Sequence, residues 1–365
     1  MSDKIKVIMH AFCDEDDFNA QNLNAREIAY RLNPDLFEVA LFYCNCPDER
    51  LRRKENIHLI KVPNYRESPS KTVAFFSVLR HLLGRYDIFF YVRNMRLDLY
   101  YFKIRKLFGD KKITVHTIES ILPHIDASEY LQKIAKYNAL NSDYVYSVSR
   151  YVAETAENHY GIRTPIMYVG VDTRIFQPAK KRREDNTEKP KVLYVGSFQQ
   201  RKRPYLVIEA ARQFPDVEFH LIGSGPLMSF LLKTKEKFRT NNVFFHDHIP
   251  LEKLVSSMQA ADIFLFPSAR EGFPKVTIEA AAAGLPAIVF NNYKPETVLN
   301  GETGFIVGDV DEMMEKLAIL IKDADLRHKM GERAREHAKK FDWNIITNQW
   351  EKEFLKMVSA KTCRN

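Results

Sequence analysis

The stretch Ser268-Ala-Arg-Glu271-Gly-Phe-Pro-Lys275-Val-Thr277-Ile-Glu279-Ala-Ala-Ala-Ala-Gly284-Leu-Pro286 holds the residue types best able to do chemistry. Apolar Ile263 to Phe266 before it reads as a strand. Gly272 with Pro274 reads as a tight turn into a short, alanine-rich helix ending at Gly284. The first turn of a helix carries backbone N–H groups with no intrahelical partner, and with the helix dipole they favour a phosphate. Glu271 sits on the loop before the helix and Glu279 about one turn inside it. Two carboxylates beside a diphosphate site suit neutral, hydroxyl-rich ligands, because each accepts hydrogen bonds from a pair of sugar hydroxyls. The plainer reading of Glu279 is a carboxylate that complements a helix N-terminus.

Other clusters are candidates to join that site. Arg201-Lys202-Arg203 follows Val195-Gly196-Ser197-Phe198, where cations beside a Gly-Ser loop suit a phosphate; a solvated basic turn is the alternative. Gly223 and Gly225, within Ile222-Gly-Ser-Gly-Pro226, read as a strand-end turn. His116 ends the strand Ile113 to Val115 and is expected to point into a cleft, oriented by Glu119; a buried, satisfied histidine is the alternative. After the first strand, Asn19 or Asn22 is expected to take a left-handed turn conformation or to cap the helix near Leu23. The acidic run Asp14 to Asp17 reads as a solvated loop. No metal site is expected: His246-Asp247-His248 lacks a further partner in sequence, and Cys13, Cys44, Cys46 and Cys363 lack zinc spacing.

Positioning these residues calls for open α/β sheets. Short apolar runs begin at Ile5, Val39, Ile57, Ile88, Ile113, Tyr144 and Ile166, with helical patterns near 22–31, 71–83, 97–107 and 151–160. Runs that are apolar on both faces suit a parallel sheet covered on each side. Pro178 to Pro190 is charged and has no large apolar residue, so it reads as an inter-domain linker. Strands then restart at Lys191, Glu218, Val243, Ile263, Pro286 and Gly304, with helices near Pro204, Leu227, Leu251, Lys275 and Val310. Three more helical segments follow near Ala324, Arg333 and Trp343. The predicted fold class is α/β, with two Rossmann-like doubly wound domains facing across a cleft.

A length of 365 residues, 45% of them hydrophobic and 28% charged, fits about two globular domains and excludes a disordered chain, a collagen or a coiled coil. No apolar run reaches the roughly 18 residues of a membrane-spanning helix. The start, Met1-Ser-Asp-Lys, does not read as a signal peptide, so the cytoplasm is the expected compartment. A net charge of +8 attracts anions, whether nucleic acid, anionic lipid or phosphorylated small molecules. Nucleic-acid binding would explain the charge but not the paired glutamates.

The Glu-Gly-Phe-Pro-x-x-x-x-Glu-Ala-x-Ala-x-Gly-x-Pro run from Glu271 to Pro286 resembles the signature of glycosyltransferase family 4, the retaining enzymes of the GT-B fold. The resemblance extends over most of residues 165–355. Val169-Gly-Val-Asp172-Thr resembles that family's inter-domain segment, and the loops at Gly196 to Lys202 and Gly223 to Pro226 resemble its phosphate and glycine turns. It implies that Glu279 holds ribose hydroxyls, that Glu271 holds hydroxyls of the transferred sugar, and that Lys202 pairs with the diphosphate. The amides of Phe273, Pro274, Lys275, Val276 and Thr277 would touch sugar and diphosphate, His248 and Ile249 would lie near the base, and His116 would contact the donor sugar. It departs at Ser197, often arginine there, for which Arg201 is a substitute, and in the missing Gly-Gly loop near Asn19.

The resemblance implies domains at 1–178 and 179–345, and a last helix, 346–365, crossing back to the first. The expected activity is retaining transfer of a hexose-type sugar from a nucleotide-diphosphate sugar to a glycan, lipid-linked or small-molecule hydroxyl, with no cofactor and no metal. Alanine at Lys202 or Glu279 should then stop turnover and leave the fold intact. A nucleotide-sugar epimerase and a catalytically degenerate nucleotide-sugar-binding protein are the alternatives. Basic residues from Arg93 to Lys112 beside Tyr100, Tyr101, Phe102 and Phe108, with Ala74-Phe75-Phe76 and Arg80 to Arg85, suggest peripheral contact with an anionic membrane; ordinary amphipathic helices are the alternative.

Overall fold

A computed structural model describes residues 4–17, 19–64, 71–91, 96–109, 111–123, 127–179, 189–247 and 249–363. The chain forms two compact units, Met1–Val169 with Trp343–Asn365, and Gly170–Asp342.

Unit 1 alternates β1 (Ile5–Phe12), α1 (Ala20–Arg31), β2 (Phe37–Tyr43), α2 (Glu49–Arg52), β3 (Ile57–Lys61), α3 (Lys71–Leu82), β4 (Ile88–Tyr91), α4 (Arg96–Phe108), β5 (Ile113–Ile118), α5 (Glu129–Leu140), β6 (Tyr144–Ser147) and α6 (Arg150–Tyr160). Its sheet is ordered β3-β2-β1-β4-β5-β6, and every pairing is parallel. Val7, Ile8 and Met9 of β1 are all fully buried, as a strand covered on both faces requires.

Unit 2 repeats the scheme with β7 (Lys191–Val195), α7 (Tyr205–Gln213), β8 (Glu218–Ile222), α8 (Met228–Phe238), β9 (Val243–His246), α9 (Leu251–Ala260), β10 (Ile263–Phe266), α10 (Lys275–Ala282), β11 (Ala287–Phe290), β12 (Gly304–Val307), α11 (Val310–Lys322) and α12 (Ala324–Lys339). Its sheet is ordered β12-β11-β10-β7-β8-β9, also parallel.

The final helix, α13 (Trp343–Thr362), belongs to unit 1. Trp343, Ile346, Trp350, Phe354 and Met357 recur at helical spacing and are all buried. The Trp350 ring lies 5.0 Å from those of Phe90 and Tyr146, and Tyr146 Oη donates to Glu353 Oε2 at 2.6 Å.

The units divide at Val169 and Asp342. Val171 N donates to Phe341 O at 2.8 Å and Thr173 Oγ1 to Asp342, which ties 170–178 to the second unit. Most of the expected linker, 180–188, falls outside the described residues. The strand expected at Ile166 is a single bridge to Ser147, because Pro165 before it has no N–H to extend a ladder. The helix expected to begin near Arg333 lies inside α12. Gly331 is buried inside α12, which runs through it and packs along α10. The helix α5, capped by Ser128, is an additional element.

Trp350→Ala is expected to lose about 3–5 kcal/mol on chemical denaturation, whereas Ile345→Ala, on the exposed face of α13, should change stability by less than about 0.5 kcal/mol.

Candidate active site

In unit 2 the crossovers leave β7 and β10 in opposite directions, so a crevice opens at the carboxyl ends of this adjacent pair. The loop after β7 carries Arg201 and Lys202 in a single 3₁₀ turn, and the loop after β10 carries Ser268 and Glu271. They meet: Lys202 Nζ lies 2.5 Å from Glu271 Oε1, Arg201 Nη1 3.4 Å from it, and Ser268 Oγ donates to the same oxygen at 2.5 Å. The two loops are also joined through the backbone, Ala269 N donating to Arg201 O at 2.8 Å.

Lys202 and Glu271 side chains are only 13% and 10% exposed, so neither charge is well solvated. Burial pulls the Lys202 ammonium below its ordinary pKa, the Arg201 charge adds to this, and Glu271 opposes it. The ammonium also stands 4.9 Å over the Phe266 ring. Arg203 is turned away from the cluster. It adopts a left-handed conformation with φ 49° and places its guanidinium over Phe290.

The helix α10 begins at Lys275 after Pro274. Pro274 has no N–H, and Thr277 N donates to Pro274 O at 3.0 Å, so two of the five expected amide donors are already accounted for. Thr277 is fully buried, its hydroxyl bonded to Pro274 O at 2.7 Å and Thr297 Oγ1 at 2.6 Å. It fastens the start of the helix and does not line the crevice. Glu279 is 8% exposed, with Lys275 Nζ 3.9 Å away. Burial raises the Glu279 carboxyl above its ordinary pKa, and Lys275 opposes this.

The glycine turns are packing devices at the same strand ends. A Cβ on Gly223 (φ 144°) would fall 2.1 Å from Gly196 O, and one on Gly225 (φ 154°) 2.7 Å from Phe198 O. Phe198 N donates to Ser224 O at 2.8 Å, which locks the loop carrying Ser197 onto the second turn. Ile249 is half-buried past β9, and His248 lies outside the described residues.

The family model described as glycosyl transferases group 1 matches residues 176–337. This segment belongs to that family. It contains Gly196, Arg201, Lys202, Gly223, Glu271 and Glu279. Among relatives, the chain is 29% identical over 198 residues to a sulfoquinovosyl transferase of Arabidopsis thaliana, covering 50% of this chain and 38% of the relative. It is 30% identical over 223 residues to a D-inositol 3-phosphate glycosyltransferase of Corynebacterium urealyticum, covering 54% and 53%. The matches thus span about half the length of these relatives or less. Among solved structures, sucrose-phosphate synthase from Thermosynechococcus elongatus aligns with TM-score 0.81 and 20% identity over 98% of this chain and all of that one. Anabaena HepE in complex with UDP and glucose aligns with TM-score 0.78 and 17% identity over 96% and 100%. The fold, two Rossmann-like units, is GT-B.

Outside the group 1 segment, the candidates of unit 1 take the alternative readings, a buried histidine and a helix cap. His116 is fully buried, stacked on Tyr91 at 4.3 Å with Nδ1 3.2 Å from Tyr91 O. It shares a sheet row with Tyr91, whose ring packs on Phe102 of α4, and it lies inside β5, not at the strand's end. Asn19 is not left-handed. It has φ −64° and caps α1, accepting from Gln21 N and Asn22 N. Asn22 lies inside the first turn, held by Asp17 Oδ2 at 2.5 Å. The acidic run is built in, not solvated throughout. Asp14 is buried and accepts from Cys44, Asn45 and Cys46 amides at 2.6–3.2 Å, while Arg26 donates to Asp14 O and Asp17 O. Among the described residues no group of three or more metal-ligating side chains occurs.

Sequence reading missed Ser268 and Tyr293. Tyr293 is buried, and its hydroxyl has no hydrogen-bond partner among the described residues. Burial and then the Glu271 charge raise its pKa, so it lies within electrostatic reach of that carboxylate. No spacing rule would have found either.

Because Lys202 is buried against Glu271, its alanine variant should not leave stability untouched, contrary to the sequence-based expectation. Lys202→Ala is expected to cost about 3 kcal/mol, and the Lys202→Ala/Glu271→Ala double variant less than the sum of the singles, read by denaturation of all four proteins. Glu279 has the opposite sign. A raised folded pKa means that the ionised carboxylate costs stability above that pKa. Glu279→Gln should therefore raise Tm at pH 7, and the gain should shrink as pH falls through the raised value and vanish below the ordinary carboxylate range.

Proposed function

We propose that the chain is a glycosyltransferase that moves a hexose-type sugar from a nucleotide-diphosphate sugar to a hydroxyl of a glycan, lipid-linked or small-molecule acceptor, with retention and without a metal. The observation that carries this reading is the cationic pair Arg201 and Lys202 converging on Glu271 at the crevice that precedes α10. The relatives' names, a sulfoquinovosyl transferase and a D-inositol 3-phosphate glycosyltransferase, support the reaction class, and UDP in the HepE structure supports a uridine-type donor. Unit 1 takes the acceptor in this reading.

The chemistry follows from charge. As the bond from the sugar to the diphosphate breaks, negative charge grows on the leaving phosphate oxygens and the sugar becomes oxocarbenium-like. Lys202 and Arg201 offset that charge together with the amides and dipole at the start of α10. In exchange Glu271 accepts hydrogen bonds from sugar hydroxyls, so the carboxylate trades one set of donors for another and is never left bare. Glu279 accepts from the ribose diol. Attack comes from the face of departure, and a leaving-group phosphate oxygen takes the acceptor proton.

The test is calorimetric titration and product analysis with a panel of nucleotide-diphosphate sugars, with and without magnesium. The expected result is saturable binding of one donor, independent of metal, and sugar transfer once an acceptor is supplied. Glu279→Gln should weaken donor binding about tenfold or more, and wild-type binding should weaken on the acid side at a pH above the ordinary carboxylate range. Product formed without any acceptor would replace this reading with an epimerase, and binding without turnover would replace it with a binding protein.

A further inference from the structure

The helices α3 and α4 cover one face of the unit 1 sheet and meet through Phe75 and Tyr100, whose rings lie 5.3 Å apart. Their inward faces are apolar as expected: Ala74, Tyr101 and Phe102 are buried. Their outward faces are apolar too. Val73 and Phe76 are each 61% exposed on α3, and Leu107 and Phe108 are 78% and 82% exposed at the end of α4. An amphipathic helix on a sheet would present polar residues there.

Among the described residues of these two helices, the exposed charge has one sign. The helix α3 contains no acidic residue, and the lone acid of α4, Asp98, is fully buried against His10 at 2.6 Å. Arg80, Lys103 and Lys106 are exposed on the same two helices. Beyond the end of α4 the face runs into a groove of about 1000 Å³, lined in part by Leu83, Tyr86, Ile104 and Phe108. Six cationic side chains line the groove, among them Arg85 and Lys111, against two acids, Glu38 and Asp87. The groove lies at the amino ends of β1, β4 and β5, away from the strand ends where ligands of such sheets bind.

We propose that α3, α4 and this groove form a peripheral docking surface for an anionic phospholipid membrane, with Leu107 and Phe108 entering the layer beneath the headgroups. Cations alternating with large apolar side chains are the composition of helices that lie in a membrane interface. A protein interface is depleted of lysine at its core, whereas here lysines stand among the apolar residues. The surface is independent of the sugar-transfer reading.

The experiment is co-sedimentation of the full chain with vesicles of phosphatidylcholine alone or with about 30% phosphatidylglycerol. The expected result is binding to the anionic vesicles at least about tenfold stronger than to the neutral ones, weakened by about 0.5 M salt. Leu107→Ser/Phe108→Ser and, separately, Lys103→Glu/Lys111→Glu should each lower the partition about tenfold. Both should leave Tm and donor binding in vesicle-free solution unchanged, so loss of the docking surface and loss of the donor site read out separately. Failure to bind anionic vesicles would overturn the proposal, as would undiminished binding by either variant. So would a wild-type dimer that Leu107→Ser/Phe108→Ser turns into a monomer, because a second copy would then cover the face.

Discussion

An ammonium and a carboxylate, both nearly out of water, can stay charged there only if each is the other's solvent. Lys202 and Glu271 are in that position, 2.5 Å apart, and much of unit 2 serves to make their meeting obligatory. The strand order puts β7 beside β10, so that the loops leaving their carboxyl ends share a crevice. Glycines at 223 and 225 let the neighbouring turn close on the loop after β7, where any side chain would collide with backbone. Ser268 and Arg201 satisfy what Lys202 alone cannot, because a carboxylate oxygen accepts more than one hydrogen bond. Removing any of these elements would leave a charge in a poorly solvated place.

Most of this second unit was legible in the sequence for that reason. A turn that tolerates only glycine, a proline before a helix and a Glu-x7-Glu interval are local requirements, and local requirements leave local traces. Strands β7 to β10 begin where apolar runs begin. The failures were non-local. The separate helical segments expected near Ala324 and Arg333 are one helix, α12, which runs through Gly331 where α10 packs alongside. Tyr293 is brought within electrostatic reach of Glu271 by folding alone, and Ser268 sits in an unremarkable strand end. His116 shows the limit of strand-end reasoning: β5 runs on past it to Ile118, and its ring stacks on that of Tyr91 in the same sheet row.

The first unit shows how a turn is built when glycine is absent. The chain after β1 has no glycine from Cys13 to Asn24. Instead Asp14 gathers three amides from the turn after β2, Arg26 grips two carbonyls of the acidic run, and Asp17 ties Asn22 and the Asn19 amide. Side chains supply the hydrogen bonds that a tighter backbone would otherwise make with itself. In sequence the acids read as a solvated loop, because runs of like charge usually are solvated. The decisive partner, Arg26, lies nine residues past Asp17 with nothing in the spacing to mark it.

The two carboxylates at this crevice stand in opposite surroundings. Glu271 is met by two cations and a hydroxyl, whereas Glu279 has Lys275 at 3.9 Å and a pKa raised by burial. A buried carboxylate with so little compensation costs stability. A glutamine of the same shape would hold α10 in place at lower cost, so helix stability does not account for Glu279. Departures from local consistency of this kind are expected where a protein binds something. In the proposed reading the ligand that fits this arrangement is a neutral diol. It would supply two hydroxyl donors to an acceptor that lacks them and bring no charge to compete with Lys275, while the diphosphate accompanying it would find its cations at Arg201 and Lys202.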